Sequence, residues 1–175
     1  MMVERASAQP AGICRWPGNS VTYVDQSGSY AATTRRAAEN WSNTTASVSL
    51  SPASSARWLV LATDMGGNGL YGYTFVSCAD GVLKAAISLY NTHYTDGFTF
   101  WQRVSVMTHE MGHGLGLPHA RHYPPCPVPI MDPYLSETIG LCKLDRPQAE
   151  DVHALEAIYG VRGGNHDGLP LVQSW

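Results

Sequence analysis

The stretch HEMGHGLGLPH, residues 109–119, constrains this chain more than any other part of it. His109 and His113 are four apart, so on a helix they share one face, one turn from each other. Met107 and Met111 fall roughly opposite, because two residues turn a helix by about 200°. The apolar side can then pack on a sheet while both imidazoles face a cleft. Two histidines at this spacing plus a third ligand make a three-ligand zinc site with an open fourth position. His119 is the third candidate, but a continued helix would carry it away from the pair. Gly116 supplies the necessary reversal, since glycine takes positive φ without a Cβ clash. Pro118 then keeps the helix from resuming. Glu110 directly follows His109 and can reach the open position without being a ligand. Zinc acidifies a water and polarises a carbonyl. A carboxylate beside it takes the water's proton and later passes it to a leaving amine. The pattern thus holds the main parts needed for amide hydrolysis. The bland alternative is a helix end with incidental histidines. With five fixed positions, residue frequencies give that a chance on the order of one in ten thousand. His122 is a rival third ligand, but the glycine turn favours His119. His93, His153 and His166 read as ordinary surface or half-buried residues.

The 175 residues suffice for one domain with its own core. Charged residues make up only 14%, so the surface must lean on Ser, Thr, Asn and Gly. A net charge of −3 without a basic run argues against a nucleic-acid partner. No apolar stretch approaches the ~20 residues of a membrane span. The start, MMVERASAQP, lacks the apolar segment of a signal peptide, so a leader was either removed or never present. The four cysteines, Cys14, Cys78, Cys126 and Cys142, form no CxxC pair, which argues against a zinc ribbon or a thioredoxin-type site. An even number in a small chain of low charge fits two disulfides and an oxidising, extracellular compartment. Three pairings are open. Cys14–Cys78 with Cys126–Cys142 is favoured, because the second closes a short local loop. Four reduced, buried thiols are the alternative.

One domain over 14–160 is the simplest organisation, with a flexible lead, 1–13, and an irregular glycine-rich tail, 161–175. Strands are expected at 20–24, 47–51, 57–63 (a continuous apolar run suited to a central strand), 70–76 and 82–90, the last alternating Leu83, Ala85, Ile87 and Leu89 against the other face. A helix is expected over 30–43, with Ala31, Thr34, Ala38 and Trp41 at helical spacing. Thr99 and Gln102 match a capping box that opens the histidine helix, with Phe100, Val104, Met107 and Met111 as its apolar stripe. That helix should stop near Gly114 or Gly116. A last helix is expected to be capped by Asp145 with Gln148, to bury Ala149, Val152, Leu155 and Tyr159, and to end at Gly160. The sum is an α+β layered domain: a mixed, twisted five-stranded sheet with an active-site helix, a backing helix and a C-terminal helix.

The extended pattern HExxHxxGxxH, followed by a methionine turn, resembles the metzincin zinc proteases. Here that turn would be Ile130-Met131-Asp132-Pro133. The order of elements from about residue 20 to 160 is most similar to the matrixin (matrix metalloproteinase) catalytic domain. There is also some likeness to small secreted streptomycete proteases, which carry Asp where this chain has His119. The resemblance implies one catalytic zinc on His109, His113 and His119, Glu110 as general base and acid, and Met131 as the floor beneath the metal. It implies extended protein or peptide substrates, paired by β-augmentation with the edge strand from Leu70 through Tyr71, Gly72 and Tyr73 to Val76. It makes 134–143 the wall of the S1′ pocket, with Tyr134 in that wall or assisting the oxyanion. Matrixins also carry calcium, which the aspartate and glycine pattern does not let us assign. The chain departs from the family in three places. Ala120 stands where matrixins have Ser. The stretch ARHYPPCPVPI, 120–130, is longer and holds Cys126. The context of Cys14, AGICRWPG, does not match the family's zinc-blocking cysteine, which leaves latency unexplained. The expected activity is that of a secreted, monomeric zinc endopeptidase. The alternatives are a silent zinc-containing binding module and a narrow aminopeptidase.

Overall fold

The computed structural model describes residues 14–120 and 125–163; the expected lead, most of the expected tail and His122 lie outside them. Five strands form one mixed sheet: β1 (Ser20–Gln26), β2 (Ser49–Pro52), β3 (Trp58–Thr63), β4 (Gly72–Ala79) and β5 (Val82–Asn91). Their order is β2-β1-β3-β5-β4, which puts β3 in the middle and β4 at an edge. All neighbours are parallel except β4, which returns antiparallel along β5. Four helices complete the domain: α1 (Ala31–Ser42), a one-turn α2 (Thr92–Thr95), α3 (Phe100–Gly114) and α4 (Ala149–Tyr159). A short π-helical turn, Ser136–Leu141, precedes α4. This is an α+β fold, as expected, and no described helix is long and apolar enough to cross a membrane.

One face of the sheet carries the helices. Trp58 and Val60 of β3 point inward and are fully buried, while Leu59 and Leu61 on the other face are half-exposed. Strand β5 corrects the expected alternation. Ala86, Ser88 and Tyr90 are the buried set, and Ile87 is 36% exposed. Leu83 still points inward because the β4–β5 register shifts between Ser77 and Cys78. Such a bulge adds one residue and flips the side chains beyond it. Strand β4 likewise begins at Gly72 rather than Leu70. Leu70 and Tyr71 lie before it; the Leu70 carbonyl accepts from Asn91 Nδ2, and the Tyr71 ring packs edge-on to Tyr94 and Phe98.

The histidine helix α3 starts as expected: Thr99 Oγ1 accepts from the Gln102 N–H, and Gln102 Oε1 accepts from the Thr99 N–H. Phe100, expected in the apolar stripe, is 43% exposed, with its ring edge-on to Trp101. From Val104 to Gly114 every residue is buried on all sides. Helix α1 backs it: Trp41 Nε1 donates to the Thr108 carbonyl at 2.7 Å and Asn40 Nδ2 to Thr108 Oγ1 at 3.1 Å. The cap of α4 differs from expectation. Gln148 and Asp151 form the capping box, while the Asp145 carbonyl accepts from Asn40 and Thr108. Asp151, Leu155, Ile158 and Tyr159 are the buried set, whereas Ala149 is exposed and Val152 half-buried. Asp151 turns the helix, because its carboxylate satisfies backbone donors outside the helix. Past Gly160 the chain stays on the domain: Val161 bridges Ala46, and Arg162 donates to the carbonyls of Ser42 and Val48.

Both favoured disulfides are present, Cys14–Cys78 and Cys126–Cys142. The first ties the chain before β1 to the far end of β4. The second ties the loop after His119 to the residue that follows the π-helical turn.

Candidate metal centre

Helix α3 carries His109 and His113 one turn apart, and the reversal after it is a Schellman motif. The Leu117 N–H bonds to the Gly112 carbonyl and the Gly116 N–H to the His113 carbonyl. That is the 6→1 and 5→2 pairing with a left-handed residue between them. Gly116 is that residue, at φ +98°. The reversal returns His119 to the pair. The three Nε2 atoms then stand 3.2 Å (109–119), 3.1 Å (109–113) and 3.1 Å (113–119) apart.

This convergence fits a metal ion. His109 Nδ1 lies 2.7 Å from the Ile130 carbonyl and His113 Nδ1 2.9 Å from the Leu117 carbonyl. A carbonyl only accepts, so each Nδ1 carries the proton and each Nε2 is left with a lone pair. Lone pairs crowded together repel unless a cation lies among them. Three nitrogens on a tetrahedron around zinc at ~2.0–2.1 Å would stand about 3.3–3.4 Å apart, near the observed triangle. The group His109, His113 and His119 thus fits zinc. No second group of this kind is found among the described residues, so calcium finds no support there.

Electrostatics keep the rings neutral, as ligands must be. Burial, then the neighbouring His113 and His119, holds His109 well below the usual histidine value. Burial, then His119, pulls His113 down to about 4. Burial also lowers His119, partly offset by the negative charge of buried Asp132. A pH dependence follows for the metal-free protein. Unfolded, these rings titrate near about 6.5; folded, they titrate lower. In that interval the unfolded chain binds more protons, so stability is full above it and falls as pH drops from about 6.5 toward about 4. Thermal melts in chelator between pH 7.5 and pH 4 check this; a Tm that is flat across the window contradicts it.

Met131 is buried, and its sulfur packs against Gly112, between the two helical ligands; a Cβ on Gly112 would overlap that sulfur and crowd the Trp41 ring. Ala120 follows His119 and donates its N–H to the Met131 carbonyl at 3.0 Å. The methionine turn is itself held by Asp151. Its carboxylate accepts from the N–H groups of Ile130 (2.8 Å), Met131 (3.1 Å) and Gln148 (2.7 Å). Burial pushes this carboxyl up and these three bonds pull it down; burial prevails. The Ile130–Met131 peptide, whose Met131 N–H meets Asp151, offers its Ile130 carbonyl to His109. Asp151 thus orients a candidate metal ligand through one peptide unit, as outer partners of metal-binding histidines do.

Glu110 is 3% exposed and lies against the edge strand. Thr74 Oγ1 lies 2.7 Å from its Oε2 and 2.9 Å from its backbone oxygen. Of the other expected substrate-binding residues, Gly72 and Tyr73 open β4 at the sheet edge, while Leu70 and Tyr71 precede it. Tyr134 is half-buried, and its N–H donates to Asp132 Oδ1. Asp151, Asp132, Thr74, Gly112 and Gly114 were not expected from sequence. Their types are common, and only the packing shows their partners. A Cβ on Gly114 would overlap the Trp58 ring, so this glycine admits the sheet to the helix.

No family model matches the chain, and no curated protein matches it. Among solved structures, the chain is similar to one titled "Crystal structure of myroilysin", at 17% identity and a TM-score of 0.47, over 82% of this chain and 69% of that one. It is also similar to one titled "Structure of Myroilysin", at 17% identity and a TM-score of 0.45, over 78% of this chain and 64% of that one.

Proposed function

We propose that this protein is a secreted zinc endopeptidase of metzincin type, acting on extended protein or peptide substrates. The observation that carries the reading is the convergence of three imidazole Nε2 atoms, 3.1–3.2 Å apart, with a buried carboxylate on the residue adjoining His109. His109, His113 and His119 hold the zinc. When bound, zinc polarises a scissile carbonyl and makes a water more acidic. Glu110 accepts the proton of the attacking water and returns it to the departing nitrogen. Met131 packs beneath the ligands, and Asp151 keeps the His109 ring in the tautomer that presents Nε2. The outer edge of β4, which no strand among the described residues pairs, offers main-chain donors and acceptors to an extended peptide, a β-augmentation that orients without demanding a sequence. Tyr134 and the π-helical turn, tied down by Cys126–Cys142, line the opposite side of the substrate path. Two disulfides support an oxidising, extracellular setting.

The test is cleavage of casein and of a mixed peptide library by purified protein, with chelator and with zinc added back. Internal cleavage that chelator abolishes and zinc restores is expected. Cleavage restricted to N-terminal residues would make it an aminopeptidase, and no cleavage with zinc bound would make it a binding module.

A further inference from the structure

The carboxylate of Glu110 is gripped at two points by one short piece of the edge strand. Residues two apart on a strand face the same side, so Gly72 and Thr74 both face α3. At Gly72 a Cβ would lie 2.7 Å from Glu110 Cγ, 2.7 Å from Oε1 and 3.0 Å from Cδ. Real side chains do not tolerate such contacts, so the space above Gly72 belongs to the glutamate. At Thr74, Oγ1 is 2.7 Å from Oε2. Thr74 has one hydrogen and three acceptors in reach: Glu110 Oε2, the Glu110 carbonyl at 2.9 Å, and Ser88 Oγ at 3.0 Å. The carboxylate oxygen is the nearest, and the one that carries charge when ionised, so it takes the hydrogen. Ser88 stands directly opposite Thr74 in the β4–β5 register, and its Oγ already accepts from Trp58 Nε1 at 3.1 Å. The threonine hydroxyl is thus backed by a buried polar pair on the two central strands. Its β-branched side chain is also stiff at χ1.

We propose that Gly72 and Thr74 seat the general base: the glycine makes room for the glutamate side chain, and Thr74 is a positioning residue that fixes its carboxylate by one charge-assisted hydrogen bond. This rests on the reading of Glu110 as the base. A glutamate left free would sample several rotamers of three rotatable bonds, while proton abstraction needs the carboxylate within about 2.6–3.2 Å of the proton's heavy atom. Prior fixation removes that search from the barrier. The strand that grips the base is also the strand on which an extended substrate would pair. Substrate register and base position are therefore set by the same backbone.

The test is Thr74→Val, which keeps the branched shape and removes the hydroxyl, beside Thr74→Ser, which restores it. In a fluorogenic-peptide assay the valine variant is expected to lose about 10- to 100-fold in kcat, the range of a hydrogen bond to a charged group. KM should stay within about 2-fold and zinc content at the parent's level. The serine variant should recover to within about 3-fold of the parent. A crystal structure of the zinc-loaded valine variant should show the Glu110 carboxylate displaced from its parent position. The proposal is overturned by a valine variant with kcat within about 2-fold of the parent, by a serine variant as impaired as the valine one, or by an unmoved carboxylate. If the valine variant does not fold, Thr74→Ala, which adds no atoms, carries the same expectations. Should the parent protein cleave nothing, the peptidase reading fails, and the position of the carboxylate alone decides whether Thr74 seats it.

Discussion

Glu110→Ala is expected to leave zinc bound at the parent's stoichiometry while peptidase kcat/KM falls by about 10²- to 10⁴-fold, the usual weight of a general base. Zinc should survive because Glu110 is not among the three converging nitrogens. Activity should not, because Glu110 is the carboxylate that adjoins His109 on α3, whereas Asp151 spends both oxygens on backbone N–H groups and Asp132 Oδ1 accepts from the Tyr134 N–H. Glu110→Gln is the sharper variant. It keeps the shape and a polar contact with Thr74, yet an amide nitrogen cannot accept a proton from water. Metal analysis, a melting curve and turnover of a fluorogenic peptide read the three effects separately. A glutamine variant that cleaves like the parent would remove Glu110 from the mechanism, and one that has lost its zinc would make it a ligand.

Gly116→Ala should be the most damaging single-methyl change in the motif. At φ +98° an L side chain is strained by about 1–3 kcal/mol. The added Cβ would also fall on the Cys14 carbonyl oxygen. That oxygen cannot easily retreat, because Cys14 is tied by its disulfide to Cys78 on β4. Overpacking of this kind costs about 1–3 kcal/mol more. A total near 4 kcal/mol lowers Tm by roughly 8–16 °C in a chain of this size. The expected loss is greater than stability alone, since the same reversal brings His119 to the other two ligands. Zinc affinity should drop together with Tm. A variant with a parental Tm and parental zinc affinity would mean that the reversal does not need a glycine.

Much of the centre was legible because its residues are close in sequence and ruled by helix geometry. His109 and His113 needed only the 3.6-residue period. The Thr99–Gln102 box and the break at Gly116 needed only local backbone chemistry. The two disulfide partners were inferred from loop length and are the ones formed. Other readings failed where a partner from elsewhere decides. The buried face of α4 was right at Leu155 and Tyr159 but misplaced at Ala149 and Val152, because Asp151 looks like a surface carboxylate until the turn at 130–131 is laid against it. The inward set of β5 was misplaced because a bulge at the β4–β5 pairing belongs to two strands at once.

By itself the sequence determined the candidate metal centre: two histidines a turn apart, a glycine that reverses the chain, and a third histidine at the distance that reversal requires. These are consequences of local backbone geometry, which eleven consecutive residues contain in full. Only the tertiary structure decided how the device is held. Asp151 meets the Met131 turn across twenty residues, Thr74 meets Glu110 across thirty-six, and Gly112 and Gly114 are empty where Met131 and Trp58 need the space. Such partners are joined by packing rather than by period, and a glycine or a threonine carries no mark of its neighbour until the chain has folded.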